Sequence, residues 1–137
     1  MNISGQWIGT LTYGQEYGDL AGKTLRFEME LSQIENKFSG LSKDLDGVGV
    51  NPDPAEIKGK LTENEINFVK QYRSLHLADK NNSIDKSRKG PKIFYSGRYD
   101  EALKEFSGLW KMFVQRKFFG LIPINRHTSG TWEMKRK

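Results

Sequence analysis

The chain contains no cysteine, only four prolines and two histidines, and no long apolar run at either end. Without thiols it has no disulfide and no thiolate metal site, and a small secreted scaffold more often carries such a staple. Without an apolar run it has no membrane-spanning helix and nothing that reads as a leader. The expectation is therefore a single domain over residues 1–137, in the cytoplasm. A sustained helical period is also missing, so helix is expected only as a turn or two in loops. Excess charge is modest: 22 Lys and Arg against 17 Asp and Glu give +5. That suits acidic partners, but on charge alone it is ordinary solvated surface, and nucleic acid is disfavoured as a partner.

What the chain does have is alternation. Leu25, Phe27, Met29 and Leu31 alternate without fault with Thr24, Arg26, Glu28, Glu30 and Ser32, the period of a half-buried strand. Similar readings predict strands near 4–14, 24–34, 37–44, 55–61, 65–72, 91–99, 105–115 and 128–136. A second pattern lies on top of the first. Glycines 5, 40, 59, 97, 108 and 130 each sit two residues from flanking positions that are mostly large and apolar or aromatic, as in Tyr95-Ser96-Gly97-Arg98-Tyr99. Spacing of two puts glycine and ring on one face. A glycine there weakens a flat strand but lets a strand coil and makes room for neighbouring rings. Eight evenly spaced strands with this pattern predict an all-β fold, an eight-stranded antiparallel up-and-down barrel.

Connections alternate in length. Those at 34–37, 61–65 and 99–105 are tight, whereas 15–23, 45–54, 73–90 and 116–127 are long. In a meander the long ones share one end, which becomes the candidate mouth. Phase places Trp7, Leu31, Phe38, Leu61, Ile66, Tyr99, Phe106, Trp132 and Arg136 inward near the short-turned end. Nearer the mouth it places Leu11, Tyr13, Leu25, Phe27, Ser42, Asp44, Ile57, Phe68, Lys70, Tyr72, Ile93, Tyr95, Trp110, Met112 and Val114. A barrel of this size is either filled by side chains or holds one small ligand.

The Gly5-Gln6-Trp7 triplet on the first strand, with basic Arg136 on the last, resembles the lipocalins and the wider calycin superfamily. Ile3-Ser4-Gly5-Gln6-Trp7 followed by Gly9-Thr10-Leu11 is also similar to an avidin first strand. The resemblance implies a calycin-like barrel that binds something small, with Arg136 covering Trp7 at the closed end by a cation–π contact. Two family features are missing: the lipocalin Thr-Asp-Tyr turn, for which Tyr99-Asp100 stands in another order, and the spread of tryptophans that avidin places for biotin.

Among residues that carry chemistry, Lys70 is the sharpest, a cation two positions from Phe68 on an otherwise apolar face. Either it anchors the acidic group of a ligand, with Asp44 as partner and Tyr13, Tyr72 and Tyr95 supplying hydroxyls, or it snorkels from the rim into solvent. The candidate ligand-binding set is Tyr13, Asp44, Lys70, Tyr72, Tyr95, Trp110 and Met112. Asp44-Leu45-Asp46-Gly47 fails the calcium-loop spacing, because its glycine comes too early and no glutamate closes it. His76 and His127 both fall in mouth-end loops, and two imidazoles without a third ligand make no metal site, so neither metal nor cofactor is expected. The apolar stretch Phe118, Phe119, Leu121 and Ile122 reads as a lid over the mouth, as an oligomer interface, or as a contact with a membrane surface.

Charge divides the rim. The 73–90 segment carries Arg73, Lys80, Lys86, Arg88 and Lys89 against Asp79 and Asp85, and Arg116, Lys117 and Arg126 add to it, while Asp44, Asp46 and Asp53 lie elsewhere. Four functional readings follow. The first is a binding barrel for a small apolar or amphipathic ligand, acidic if Lys70 is its anchor. The second is a filled barrel acting as an oligomerisation or interaction module, with Leu109 and Phe113 outward. The third is a calycin-like isomerase or cyclase using Tyr95, Lys70, Asp44 and a histidine. The fourth is a single-stranded nucleic-acid binder stacking bases on Phe118 or Phe119.

Overall fold

The computed structural model describes residues 1–76, 84, 85, 87, 89–118 and 122–137, with side chains described except at 75, 76, 84, 85, 113–118 and 122–127. Strands β1 (Gly5–Tyr13), β2 (Thr24–Ile34), β3 (Lys37–Gly47), β4 (Ala55–Thr62) and β5 (Glu65–Tyr72) run as a meander. A short pair follows, β6 (Leu75–His76) and β7 (Ile84–Asp85), before β8 (Lys92–Asp100), β9 (Glu105–Phe118) and β10 (Ile122–Arg136). Eight strands form one closed antiparallel barrel in the order β1-β10-β9-β8-β5-β4-β3-β2. β1 closes the ring by pairing with β2 on one side (Trp7 opposite Met29) and β10 on the other (Leu11 opposite Trp132). The only helix among the described residues is a 3-10 segment, Gln15–Leu20.

The inward phase holds where side chains are described; the calls on Phe113 and Val114 lie outside them. Trp7, Leu11, Leu25, Phe27, Leu31, Phe38, Ile57, Leu61, Ile66, Phe68, Ile93, Tyr95, Phe106, Trp110 and Trp132 are all buried, joined by Met29 and Met134 in the same phase. Phe68 stacks on Tyr95 at 4.5 Å, and Trp132 stands edge-on to both, 5.4 and 5.6 Å away. At the short-turned end Trp7 packs on Phe106 at 5.5 Å, and its indole N–H donates to the Ile3 carbonyl. Arg136 lies 4.8 Å over the Trp7 ring and donates to the Ser4 and Asn2 carbonyls. It does so as an exposed residue that covers the barrel end, so its inward assignment is corrected.

The glycines create the room for these rings. A Cβ on Gly130 would lie 2.0 Å from the Thr12 carbonyl oxygen and 2.5 Å from Trp110 Nε1. One on Gly97 would meet Trp132 Cζ2 at 2.7 Å.

Two connections differ from expectation. The 116–127 segment is no long loop: β9 and β10 remain paired out to Phe118 opposite Ile122, with Pro123 opposite Lys117. This ladder outruns its neighbours, since β1 follows β10 only to Gly130 and β8 follows β9 only to Met112. In a two-stranded ribbon half the N–H groups have no ladder partner, so a proline fits there without breaking a central strand. The 73–90 connection likewise contains the β6–β7 pair, whose two-residue strands are too short for periodicity to reveal.

Replacing Gly130 with alanine is expected to lower stability by about 2–3 kcal/mol through overpacking against Trp110. The measurement is the urea midpoint at unchanged slope. A loss within the scatter of surface substitutions would show that ring and strand simply separate.

Candidate functional site: an aromatic cup over a buried ion pair

At the end of the barrel that carries the 15–23 and 45–54 connections, a cavity of about 280 Å³ opens. Leu11 and Tyr13 from β1, Leu25 from β2, Tyr72 from β5, Ile93 from β8 and Trp110 and Met112 from β9 line it. Tyr17 and Leu20 from the 3-10 segment, Val48 and Gly49 beyond β3, and Pro91 complete it. Three rings form its aromatic corner: Tyr13 lies 4.8 Å from Tyr17 and 6.0 Å from Trp110 at 90°, and Tyr17 lies 5.9 Å from Trp110. Hydrogen bonds hold these rings in place. The Tyr13 hydroxyl donates to the Val48 carbonyl at 2.7 Å, the Tyr17 hydroxyl to Thr128 Oγ1 at 3.0 Å, and the Trp110 indole to the Thr12 carbonyl at 3.1 Å.

Beneath the cup lies a charged layer. Lys70 is fully buried, which overturns the snorkelling alternative. Its Nζ stands 3.6 Å from Asp44 Oδ1, an ion-pair distance, with neither side chain exposed. The ammonium also lies 4.9 Å from the Tyr72 ring and 5.3 Å from the Phe27 ring, where the ring faces offer further stabilisation. Asp44 is the hub. It accepts the Tyr72 hydroxyl at 2.8 Å and the Asn51 backbone N–H at 2.9 Å, so one carboxylate ties β3 to β5 and to the segment leading into β4. Asn51 Oδ1 in turn accepts the Asp53 N–H at 2.9 Å.

Burial sets the protonation chemistry. Desolvation pulls the Lys70 amine below its ordinary value, and the adjacent Asp44 charge opposes that shift. Tyr72 and Tyr95 are held well above the ordinary phenol value, first by burial and then by the nearby Asp44 charge. Tyr13 is pushed up to about 12 by burial, with smaller contributions from Tyr17 and Asp44, and burial raises Tyr17 as well.

The predicted ligand set divides in two. Tyr13, Tyr72, Trp110 and Met112 line the cavity, whereas Asp44, Lys70 and Tyr95 lie below it and do not. Of the three expected hydroxyl partners only Tyr72 reaches Asp44; Tyr13 turns to a backbone carbonyl, and the Tyr95 hydroxyl has no hydrogen-bond partner among the described residues. Sequence reasoning missed Tyr17, Leu20, Val48 and Pro91 as cup residues. An aromatic in a predicted loop next to an inward tyrosine was the available signal for Tyr17. Of the expected lid, Phe118 and Ile122 oppose one another at the end of the β9–β10 ladder, while Phe119 and Leu121 lie outside the described residues. His76 and His127 fall on β6 and β10, and their side chains are likewise not described. Among the described residues no group of three His, Asp or Glu side chains is placed to hold a metal ion, and no helix is long and apolar enough to cross a membrane. No protein family, curated protein or solved structure matches the chain.

The ion pair gives a sharp test. Asp44→Asn keeps the side-chain shape but leaves a buried ammonium without its counter-charge, and is expected to cost about 3–5 kcal/mol. Adding Lys70→Met should recover a large part of that loss, a coupling that a double-mutant cycle in urea measures. Additive losses would mean that the two groups do not interact.

Alkaline titration gives another. In the unfolded chain the phenols ionise near their ordinary 10.0, whereas in the fold Tyr13 stays neutral to about 12, and Tyr72 and Tyr95 are also raised. Above 10.0 the folded state therefore holds more protons than the unfolded one, and stability falls as pH rises. Lys70 acts in the opposite sense, because its folded value lies below 10.5 and its burial cost lifts as it deprotonates. Tyrosinate absorbance and circular dichroism followed together are expected to show the buried phenols ionising only as the fold is lost. Their ionisation in an intact barrel would contradict the packing described.

Proposed function

We propose that this protein is a small-molecule binding barrel of calycin-like design that takes a compact apolar or amphipathic ligand in the aromatic cup. The carrying observation is the roughly 280 Å³ cavity, walled by Leu11, Tyr13, Tyr17, Tyr72, Ile93, Trp110 and Met112, at the open end of an otherwise filled barrel. Apolar walls with a few convergent polar groups are the usual make-up of ligand sites, and this volume lies at their small end. The size favours a ligand of one or two rings or a short chain. The charge layer shapes the preference further: Asp44 already neutralises Lys70, so the cup favours a ligand whose polar group is uncharged and meets the Tyr13, Tyr17 or Tyr72 hydroxyls. The Arg136 cap over Trp7 supports the calycin-like reading, because it is the contact that the Gly-x-Trp resemblance implies.

Native mass spectrometry of freshly purified protein, followed by a panel of neutral and acidic naphthalene-sized compounds monitored by tryptophan fluorescence, tests this. Binding is expected to prefer the neutral members and to be lost on Met112→Trp, which fills the cup. Lys70→Met should change neutral-ligand affinity by less than about threefold, since the ammonium does not line the cavity. Binding that survives Met112→Trp would overturn the site, and an acid-selective loss on Lys70→Met would restore the lysine as an anchor.

A further inference from the structure

Three polar side-chain atoms in the barrel interior have no hydrogen-bond partner among the described residues: Ser42 Oγ, Lys70 Nζ and the Tyr95 hydroxyl. Their residues are 1%, 0% and 2% exposed. Buried polar groups in folded proteins are nearly always satisfied, by other protein groups or by ordered water. All three surround one carboxylate. Asp44 stands two residues beyond Ser42 on β3, on the same inward face. Lys70 reaches it from β5, with Nζ 3.6 Å from Oδ1, close enough for an ion pair but too long for a hydrogen bond. Burial holds the Tyr95 phenol well above its ordinary value, and the Asp44 charge is the next contributor, so that hydroxyl lies in the field of the same carboxylate.

We propose that these groups form an internal water site beneath the cup, in which ordered water accepts a hydrogen bond from Lys70 Nζ, donates to Asp44 Oδ1, and extends to the Tyr95 and Ser42 hydroxyls. A polar contact longer than about 3.5 Å is where a bridging water is expected. Asp44 has capacity to accept it, since the Tyr72 hydroxyl and the Asn51 N–H do not exhaust the roughly four acceptor positions of a carboxylate. Ser42 pairs with Ala55 on β4, and two small side chains side by side make this stretch of wall shallow. Water both donates and accepts, which suits an ammonium, a carboxylate and two hydroxyls together. Other occupants fit less well. An anion would undo the neutrality that Asp44 gives Lys70, a cation would meet the ammonium, and an apolar group would leave all three atoms unsatisfied. Tyr72 separates the site from the cup, because its ring walls the cup while its hydroxyl is committed to Asp44. The water is therefore internal, cut off from bulk solvent, and independent of any ligand in the cup.

A crystal structure of the full chain that resolves ordered solvent is expected to show water within hydrogen-bond distance of Lys70 Nζ. In solution, oxygen-17 relaxation dispersion should detect a long-lived internal water, and Tyr95→Phe should weaken that signal. Stability gives a second readout with a definite sign. If the hydroxyls were orphans, Tyr95→Phe and Ser42→Ala would leave the folded state as populated as before, or more so. Bridged by water, each is expected to lower the folding equilibrium constant about fivefold in urea titration. A dry interior, no loss of stability in either variant, or an ion or organic molecule at Lys70 Nζ would each overturn the proposal. Met112→Trp, which fills the cup, is expected to keep the water signal. Loss of the signal there would mean that the site belongs to the cup, whereas failure of the cup to bind a ligand leaves the water in place.

Discussion

Closure of the ring is the constraint on which the rest of this structure depends. Because β1 must pair with both β2 and β10, the sheet has to coil through a full turn within eight strands, and the interior radius is then no longer free to vary. Three indoles and several phenyl rings cannot share that space with a side chain at every inward position. The conflict is resolved at glycine: Trp110 lies against Gly130 and Trp132 against Gly97, so each ring occupies the volume that a neighbouring side chain would have filled. The closed end is accordingly solid, sealed by Ile3, Trp7 and Phe106 with Arg136 laid across the indole.

The buried pair divides the interior into two parts with different roles. Below Lys70 and Asp44 the barrel is packed ring on ring; above them the walls part into the cup. An ammonium sealed from water is costly, and it is tolerated here because one carboxylate sits beside it and two ring faces flank it. Asp44 simultaneously takes the Tyr72 hydroxyl and the Asn51 amide, so the charge that neutralises the lysine also pins a cup wall and the mouth-side connection. Chemistry that needs Lys70, Asp44 or Tyr95 exposed to a substrate finds them sealed beneath that wall.

The two faces of the wall differ in character. Inside, aromatic rings and few polar groups suit something small. Outside, Val69 and Phe94 stand in one row with Lys58 and Lys111. Both follow from the period-two alternation of the same strands: Phe68 and Tyr95 look in, while their chain neighbours Val69 and Phe94 look out, directly opposite each other across β5 and β8. A residue pattern that fills a core thereby also writes a surface.

Strand positions and the inward phase were legible in the sequence, because side-chain alternation encodes them locally. The Trp7–Arg136 contact followed from the Gly-x-Trp resemblance, whereas the pairing of Lys70 with Asp44 was one of two readings of an inward lysine. Distances across the ring were not legible. That Tyr72 and not Tyr95 reaches Asp44, that Tyr17 folds back from a connection to wall the cup, and that Lys58 and Lys111 bracket one apolar strip depend on register between strands far apart in the chain. The β9–β10 ladder running past Pro123 belongs to the same class, since a proline reads as a strand breaker until the neighbouring strands are seen to stop short of it. Local periodicity determines which way a side chain points; only the closed ring decides which side chain it meets, because closure sets the register, the radius and hence every contact across the interior.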